Sequence, residues 1–228
     1  SARNRCDVCT DTLTHINEYK SLMNTAFTIA LAGNPNAGKT TLFNYLTGAR
    51  QHVSNYPGIT VEQKEGCLLH NGHGLRVVDL PGTYSLTAYS IEELVARDFL
   101  INDKPDVVID VVDASNLERN LYLSTQFLEL GVPMVIALNM IDVAEKRGIT
   151  INAQELGNRL GVRIVPIVAR SGKGVDELLD AVLATIKDGK KPTPAHLRYG
   201  SDIDEALNRM TEDIESCTAL TSVYPQRW

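Results

Sequence analysis

The sequence predicts an α/β fold, a mostly parallel sheet of six to seven strands with helices on both faces, and three observations carry that prediction. Short β-branched or apolar runs alternate with amphipathic stretches of helical length. The run Val107-Val-Ile-Asp-Val-Val112 reads as a strand covered on both sides. The segment Gly33-Asn-Pro-Asn-Ala-Gly38-Lys39-Thr40 follows a strand-like run and opens a helix-like one, which is the setting a phosphate-binding loop requires.

In chain order, residues 1–22 read as a separate leader or tail, expected to be flexible. Its Cys6-x-x-Cys9 pair stands alone and is weak ground for metal or redox chemistry. The main domain spans 23–188 and opens at Met23, an internal or original start. Its strand-like runs are Phe27–Ala32, Val61–Leu69, Leu75–Leu80, Val107–Val112, Met134–Leu138 and Arg163–Val168. Helices are expected near 39–48, 90–101, 116–130, 152–160 and 174–187. His70-Asn-Gly-His-Gly74 joins two of the strands; Asn71-Gly72 is a hairpin signal, so one strand is expected to run antiparallel at the sheet edge. Asn152-x-x-Glu155 reads as a capping box. Residues 189–228 read as a linker rich in Lys and Pro, then one helix over Ser201–Cys217 with Ile203, Ala206, Leu207, Met210 and Ile214 on one face. One helix cannot bury such a stripe alone.

Composition narrows the function. The 228 residues are 43% hydrophobic and 22% charged, an ordinary globular mix. A net charge of −6 excludes a broadly basic nucleic-acid footprint. No apolar run approaches the roughly 20 residues of a membrane helix, and the N-terminus lacks a signal peptide's apolar stretch. Four cysteines are too few for a disulfide scaffold.

The phosphate loop has a direct physical rationale. Glycines let backbone N–H groups wrap phosphates with no Cβ in the way, and the helix N-terminus adds positive potential. Lys39 is placed to reach the β- and γ-phosphates, and the Thr40 hydroxyl to bind Mg²⁺. Asp79-Leu-Pro-Gly82 ends a strand, so its carboxylate faces the same crevice and can hold Mg²⁺ through water, while the Gly82 N–H can meet a γ-phosphate oxygen. Thr60, in the polar stretch Tyr56-Pro-Gly-Ile-Thr60, can join Mg²⁺ only when a γ-phosphate is present, ordering the loop.

Asn139-Met-Ile-Asp142 follows a strand and selects the base. A carboxylate can accept from both the guanine N1–H and N2–H₂; adenine offers no such pair, which leaves Asp142 desolvated and unpaired. Asn139 is expected to support the ring and brace the phosphate loop. Val168-Ala169-Arg170 can present an N–H to the guanine carbonyl, although a plain strand-to-helix turn explains it equally well.

Gly33–Thr40, Asn55-Tyr-Pro-Gly-Ile-Thr-Val-Glu62, Asp79-Leu-Pro-Gly-Thr-Tyr-Ser-Leu86, Val111-Val-Asp-Ala-Ser115 and Asn139–Asp142 together resemble the cytosolic GTPase domain of the bacterial ferrous-iron transport protein B (FeoB) family. The resemblance covers about 24–228, and Tyr224-Pro-Gln-Arg-Trp228 is similar to a segment inside that family's helical subdomain, so the chain is expected to stop partway through it. It implies a Ras-like P-loop GTPase fold followed by a partial helical subdomain, hydrolysis of GTP to GDP, and switch loops near 50–62 and 80–92. It implies a place on the cytoplasmic face of the bacterial inner membrane. Implied partners are the transmembrane channel of the same polypeptide, small accessory iron-transport proteins and a homo-oligomer, with no nucleic acid. The implied nucleotide contacts are Gly33, Asn34, Asn36, Ala37, Gly38, Lys39, Thr40 and Thr41, then Asn139, Met140 and Asp142, and Val168, Ala169 and Arg170, with Asn36, Lys39, Thr60 and Gly82 serving catalysis and Thr40, Thr60 and Asp79 around Mg²⁺.

Two positions depart from the wider GTPase pattern. Met140 stands where lysine commonly covers the base; its thioether still packs on the ring but carries no charge. Thr83 follows Gly82 where glutamine commonly orients the attacking water, and it is too short for that task. Related GTPases with asparagine at the Asn36 position bind K⁺ where an arginine finger would act, which implies a K⁺ site at Asn36 and the backbone of the 50–60 loop. Turnover is expected to be slow and K⁺-stimulated. The rivals are an assembly GTPase of the ribosome or tRNA-modification type, against which the acidic tail argues, a nucleotide sensor with negligible hydrolysis, and, least favoured, an ATPase. His70 and His73 read as solvent-facing loop histidines, Cys67 as a small packed residue, Asp110 and Asp113 as flanking a strand end, and Glu92 and Glu93 as the start of a solvated helix.

Overall fold

The computed structural model describes residues 27–48, 51–56, 59–189 and 200–215. The expectations for the leader with Cys6 and Cys9, for most of the linker, for Cys217 and for Tyr224–Trp228 lie outside them.

The fold starts with β1 (Phe27–Gly33), which runs into the phosphate loop, and α1 (Lys39–Thr47), which leaves it. Then come β2 (Gln51–Asn55), β3 (Glu62–His70) and β4 (His73–Asp79). Next are α2 (Ile91–Asn102), β5 (Val107–Asp113) and a 3₁₀ turn (Ala114–Asn116) leading into α3 (Leu117–Glu129). The domain closes with β6 (Met134–Asn139), α4 (Ile141–Lys146), α5 (Ala153–Leu160), β7 (Arg163–Pro166) and α6 (Val175–Asp188).

The sheet has seven strands in the order β2-β3-β4-β1-β5-β6-β7. The five strands from β4 to β7 pair in parallel, and β3 is antiparallel to both β4 and β2. The expected antiparallel strand therefore exists but does not lie at the edge; β2 covers it. The β3–β4 turn has positive φ at both Asn71 (47°) and Gly72 (77°), as a two-residue hairpin turn requires.

Alternation along each strand divides the core into two layers. Ile29, Leu31, Val77, Ile109 and Val111 pack under α1 and α6 with Phe43, Leu178 and Val182. Ala30, Val78, Val108, Val112 and Ile136 pack under α2 and α3 with Phe99, Leu123 and Phe127. Both faces are thus dry, which explains why β5 reads as a nearly continuous apolar run. Asp110 sits in the middle of that run rather than at its end, fully buried, and accepts a 2.5 Å hydrogen bond from the Ser124 hydroxyl of α3. Burial pushes its carboxyl up to about 7, against the lowering effect of Ser124.

Local signals hold at the helix ends. Asn152 Oδ1 accepts from Glu155 N at 3.0 Å, and Ser90 Oγ from Glu93 N at 3.1 Å. A further helix, α7 (Ser201–Glu215), exposes Ile203, Leu207 and Met210. Among the described residues no helix is long and apolar enough to cross a membrane.

Candidate functional site

The C-terminal ends of β1, β4, β5 and β6 converge where the strand order reverses between β1 and β5, the place where open α/β sheets bind ligands. The loop leaving β1 has the backbone that a phosphate cradle needs. Gly33 has φ 146°, and a Cβ there would stand 2.5 Å from the Val111 carbonyl oxygen. Gly38 has φ 93°, and a Cβ there would overlap the Asn139 side-chain amide. Asn36, at φ 67°, also takes the left-handed conformation, which asparagine tolerates better than most residues.

Lys39 and Asp79 meet inside this crevice. Both are buried, and the Lys39 ammonium donates to Asp79 Oδ1. Burial raises the Asp79 carboxyl above its usual range, and the nearby charge of Lys39 opposes that rise. Two side chains from separate sequence motifs thus meet in one buried pair. Asn36 is exposed on the same loop and Ala37 is buried within it, while Thr40 and Thr41 are exposed in the first turn of α1.

Asn139 joins the remaining parts. Its Nδ2 donates to the Ala37 carbonyl at 2.9 Å, and its Oδ1 accepts from the Ala169 N–H at 3.0 Å. One buried amide thus ties the phosphate loop to the loop after β7. Met140 follows at φ 60°, turning the chain out of β6 so that α4 starts with the half-buried Asp142 in its first turn. The 168–170 loop is closed by Ser171 N donating to the Val168 carbonyl, which leaves Arg170 exposed and Val168 half-buried. Thr60 is not part of this buried cluster; it stands exposed on the stretch entering β3.

One buried residue carried no sequence signal. Tyr56 is buried with no hydrogen-bond partner on its hydroxyl, and desolvation raises its ionisation above the ordinary tyrosine range. Glu93 does more than open a solvated helix: it accepts from Ser85 Oγ at 2.6 Å and from Tyr89 N at 3.0 Å, bonds that hold its carboxyl below the usual range. His70 is no solvent-facing loop residue either; its Nε2 lies 2.8 Å from Asp180 Oδ1 on α6. Cys67 is buried as expected. Among the described residues no group of three or more His, Cys, Asp or Glu is placed to hold a metal ion.

A doubly wound sheet with a glycine cradle, a lysine–aspartate corner and an asparagine bracing both loops defines a Ras-like P-loop G domain. A family model described as Ferrous iron transport protein B matches residues 27–182, and the chain belongs to that family. The Fe(2+) transport protein A/Fe(2+) transporter FeoB fusion protein of Porphyromonas gingivalis is 47% identical over 203 residues, covering 88% of this chain and 24% of its own length. The Fe(2+) transporter FeoB of Salmonella typhimurium is 53% identical over 159 residues, 68% of this chain and 21% of its own. The chain therefore spans about a fifth to a quarter of these relatives. The crystal structure of the cytosolic domain of the T. maritima FeoB iron transporter in its GMPPNP form matches with a TM-score of 0.82 at 37% identity, covering 88% of this chain and 78% of that one.

Proposed function

We propose that this domain binds GTP with Mg²⁺, hydrolyses it to GDP and phosphate, and so operates a ferrous-iron transporter from the cytoplasmic face of a bacterial inner membrane. The observation that carries the reading is the Asn139 bridge, because it couples the loop that holds phosphates to the loops that read a purine. Its T. maritima relative was solved in a GMPPNP form, which supports a guanine nucleotide in the same cradle. The relatives named as Fe(2+) transporters support the link to iron, and the fusion relative supports an accessory transport protein as a partner. In this reading residues 23–188 form the G domain and 189–228 a linker and helical subdomain, and the partner on which the domain acts is a membrane channel of the kind its relatives' names imply.

Each residue's task follows from its chemistry. The amides of residues 34–40 line the phosphates, and the Lys39 ammonium moves from Asp79 to the β- and γ-oxygens. Thr40, Thr60 and Asp79 offer only hydroxyl and carboxylate oxygens, a donor set that fits Mg²⁺. When bound, the ion neutralises charge on the β- and γ-phosphates. Asp142 accepts the N1–H and N2–H₂ of guanine, Met140 covers the ring, and the 168–170 amides face the guanine carbonyl. Attack of water on the γ-phosphorus breaks the bond to the β–γ bridging oxygen, with the Gly82 N–H holding a γ-oxygen. Thr83 is buried and short, so backbone groups orient the water and turnover is slow. The Asn36 side-chain carbonyl and the backbone of the 50–60 loop would supply oxygen ligands for K⁺, whose charge would offset the charge that develops during phosphoryl transfer.

Phosphate release from GTP, measured in KCl and NaCl at matched ionic strength, tests the proposal. Release in both salts, faster in KCl, is expected. Equal rates would remove K⁺ from the account, and no release in either salt would overturn the hydrolytic function.

A further inference from the structure

We propose that Arg119 and Gln126 of α3 are positioning residues that hold the chain after Gly82 in register with the phosphate loop. The inference rests on the GTPase reading and adds to it the element that fixes the second switch.

Residues 80–90 contain no helix or strand that could place them. At the front of this stretch, Gly82 lies against the phosphate loop, where a Cβ would come 3.4 Å from Pro35 Cα, and Thr83 is buried. Beyond that point the hold passes to α3. The Arg119 guanidinium lies over the Tyr84 ring, 4.3 Å from its centroid. The Leu86 N–H donates to Gln126 Oε1 at 2.7 Å, and the Leu86 side chain is buried in the layer beneath α3. Arg119 and Gln126 are seven residues apart, two helical turns, and so present the same face. They grip Tyr84 and Leu86, two residues apart on the switch.

The same helix is tied to the phosphate loop at Arg119 itself, whose carbonyl accepts from Asn34 Nδ2 at 3.4 Å. The start of α3 is also stiff. Asp113 accepts from Ser115 and Asn116, and Asn120 Nδ2 donates to the Asn116 carbonyl. One residue therefore has its backbone on the phosphate loop and its cation on the switch. Phosphoryl transfer is governed by placement, so a switch anchored at both ends keeps the Gly82 N–H where the γ-phosphate needs it.

The charge on Arg119 matters, because the ring face attracts a cation and not merely an apolar stem. The test is a double-mutant cycle on GTP turnover and on GDP affinity. Arg119→Met and Tyr84→Leu are each expected to lower kcat roughly two- to fivefold, the range of a cation–aromatic contact at an exposed site. GDP affinity should stay constant, and the double variant should be no slower than the worse single one. Arg119→Lys, which keeps the cation, should recover most of the loss. Glu118→Gln, an exposed neighbour, should leave turnover at the wild-type level. Single variants with wild-type kcat, multiplicative losses in the double variant, or equal losses in kcat and GDP affinity would each overturn the proposal while leaving the GTPase reading intact. A wild-type chain that released no phosphate would overturn both.

Discussion

Replacing Asp110 by asparagine should change how stability depends on pH, and the size of the change follows from where the residue lies. The carboxyl is buried in the middle of β5, where its folded-state ionisation is raised to about 7 from 3.8. A raised carboxyl means that the folded state binds the proton more tightly than the unfolded chain does. Its contribution is therefore fully favourable below pH ~4, declines as pH rises from there, and levels off above pH ~7. At 1.36 kcal/mol per unit, the whole decline is about 4 kcal/mol, of which about 2 kcal/mol falls between pH 5 and 7. Asparagine cannot ionise, yet its amide oxygen can still accept from Ser124. Urea unfolding of both proteins at pH 5, 6, 7 and 8 is the assay. Effects common to both chains cancel in the difference, which should move in favour of Asp110→Asn by about 2 kcal/mol from pH 5 to 7. Parallel stability curves would show that Asp110 is ionised in the fold at every pH, and the reasoning from burial would fail.

Three further perturbations act on the candidate site. Gly38→Ala forces a Cβ into the Asn139 amide at a left-handed φ, so GTP affinity measured by calorimetry should fall at least about a hundredfold. Asn139→Ala removes both bridging hydrogen bonds and leaves the Ala37 carbonyl and Ala169 N–H buried, which at about 1–3 kcal/mol each predicts a GTP complex weakened at least about thirtyfold. Asp142→Asn exchanges an acceptor for an amide, so binding should shift from GTP toward xanthosine triphosphate, whose C2 carbonyl accepts where the guanine amine donates; competition between the two nucleotides checks this.

Most of the sheet and the heart of the site were legible in the sequence because both rest on local chemistry. The phosphate loop needs glycine at two crowded points, and the Asn139 brace was expected from its position at the end of β6. What was not legible lacked a local signature. β2 is almost wholly exposed, so Gln51–Asn55 shows no alternation to read. α4 has six residues, too few for a helical period. Asp110 sat in plain view, since a carboxylate inside a strand covered on both faces must be buried, yet its residue type suggests a strand end. The Arg119–Tyr84 contact joins residues far apart in the chain, and His70 meets Asp180 from 110 positions away; only the fold brings such pairs together.

Titration of GTP and of ATP, each with Mg²⁺, into the wild-type chain and into Lys39→Met measures the central idea most directly. A single site that takes GTP, rejects ATP and is lost when the Lys39 ammonium is removed is the predicted result. Equal affinity for the two nucleotides, or undiminished GTP binding by Lys39→Met, would contradict it.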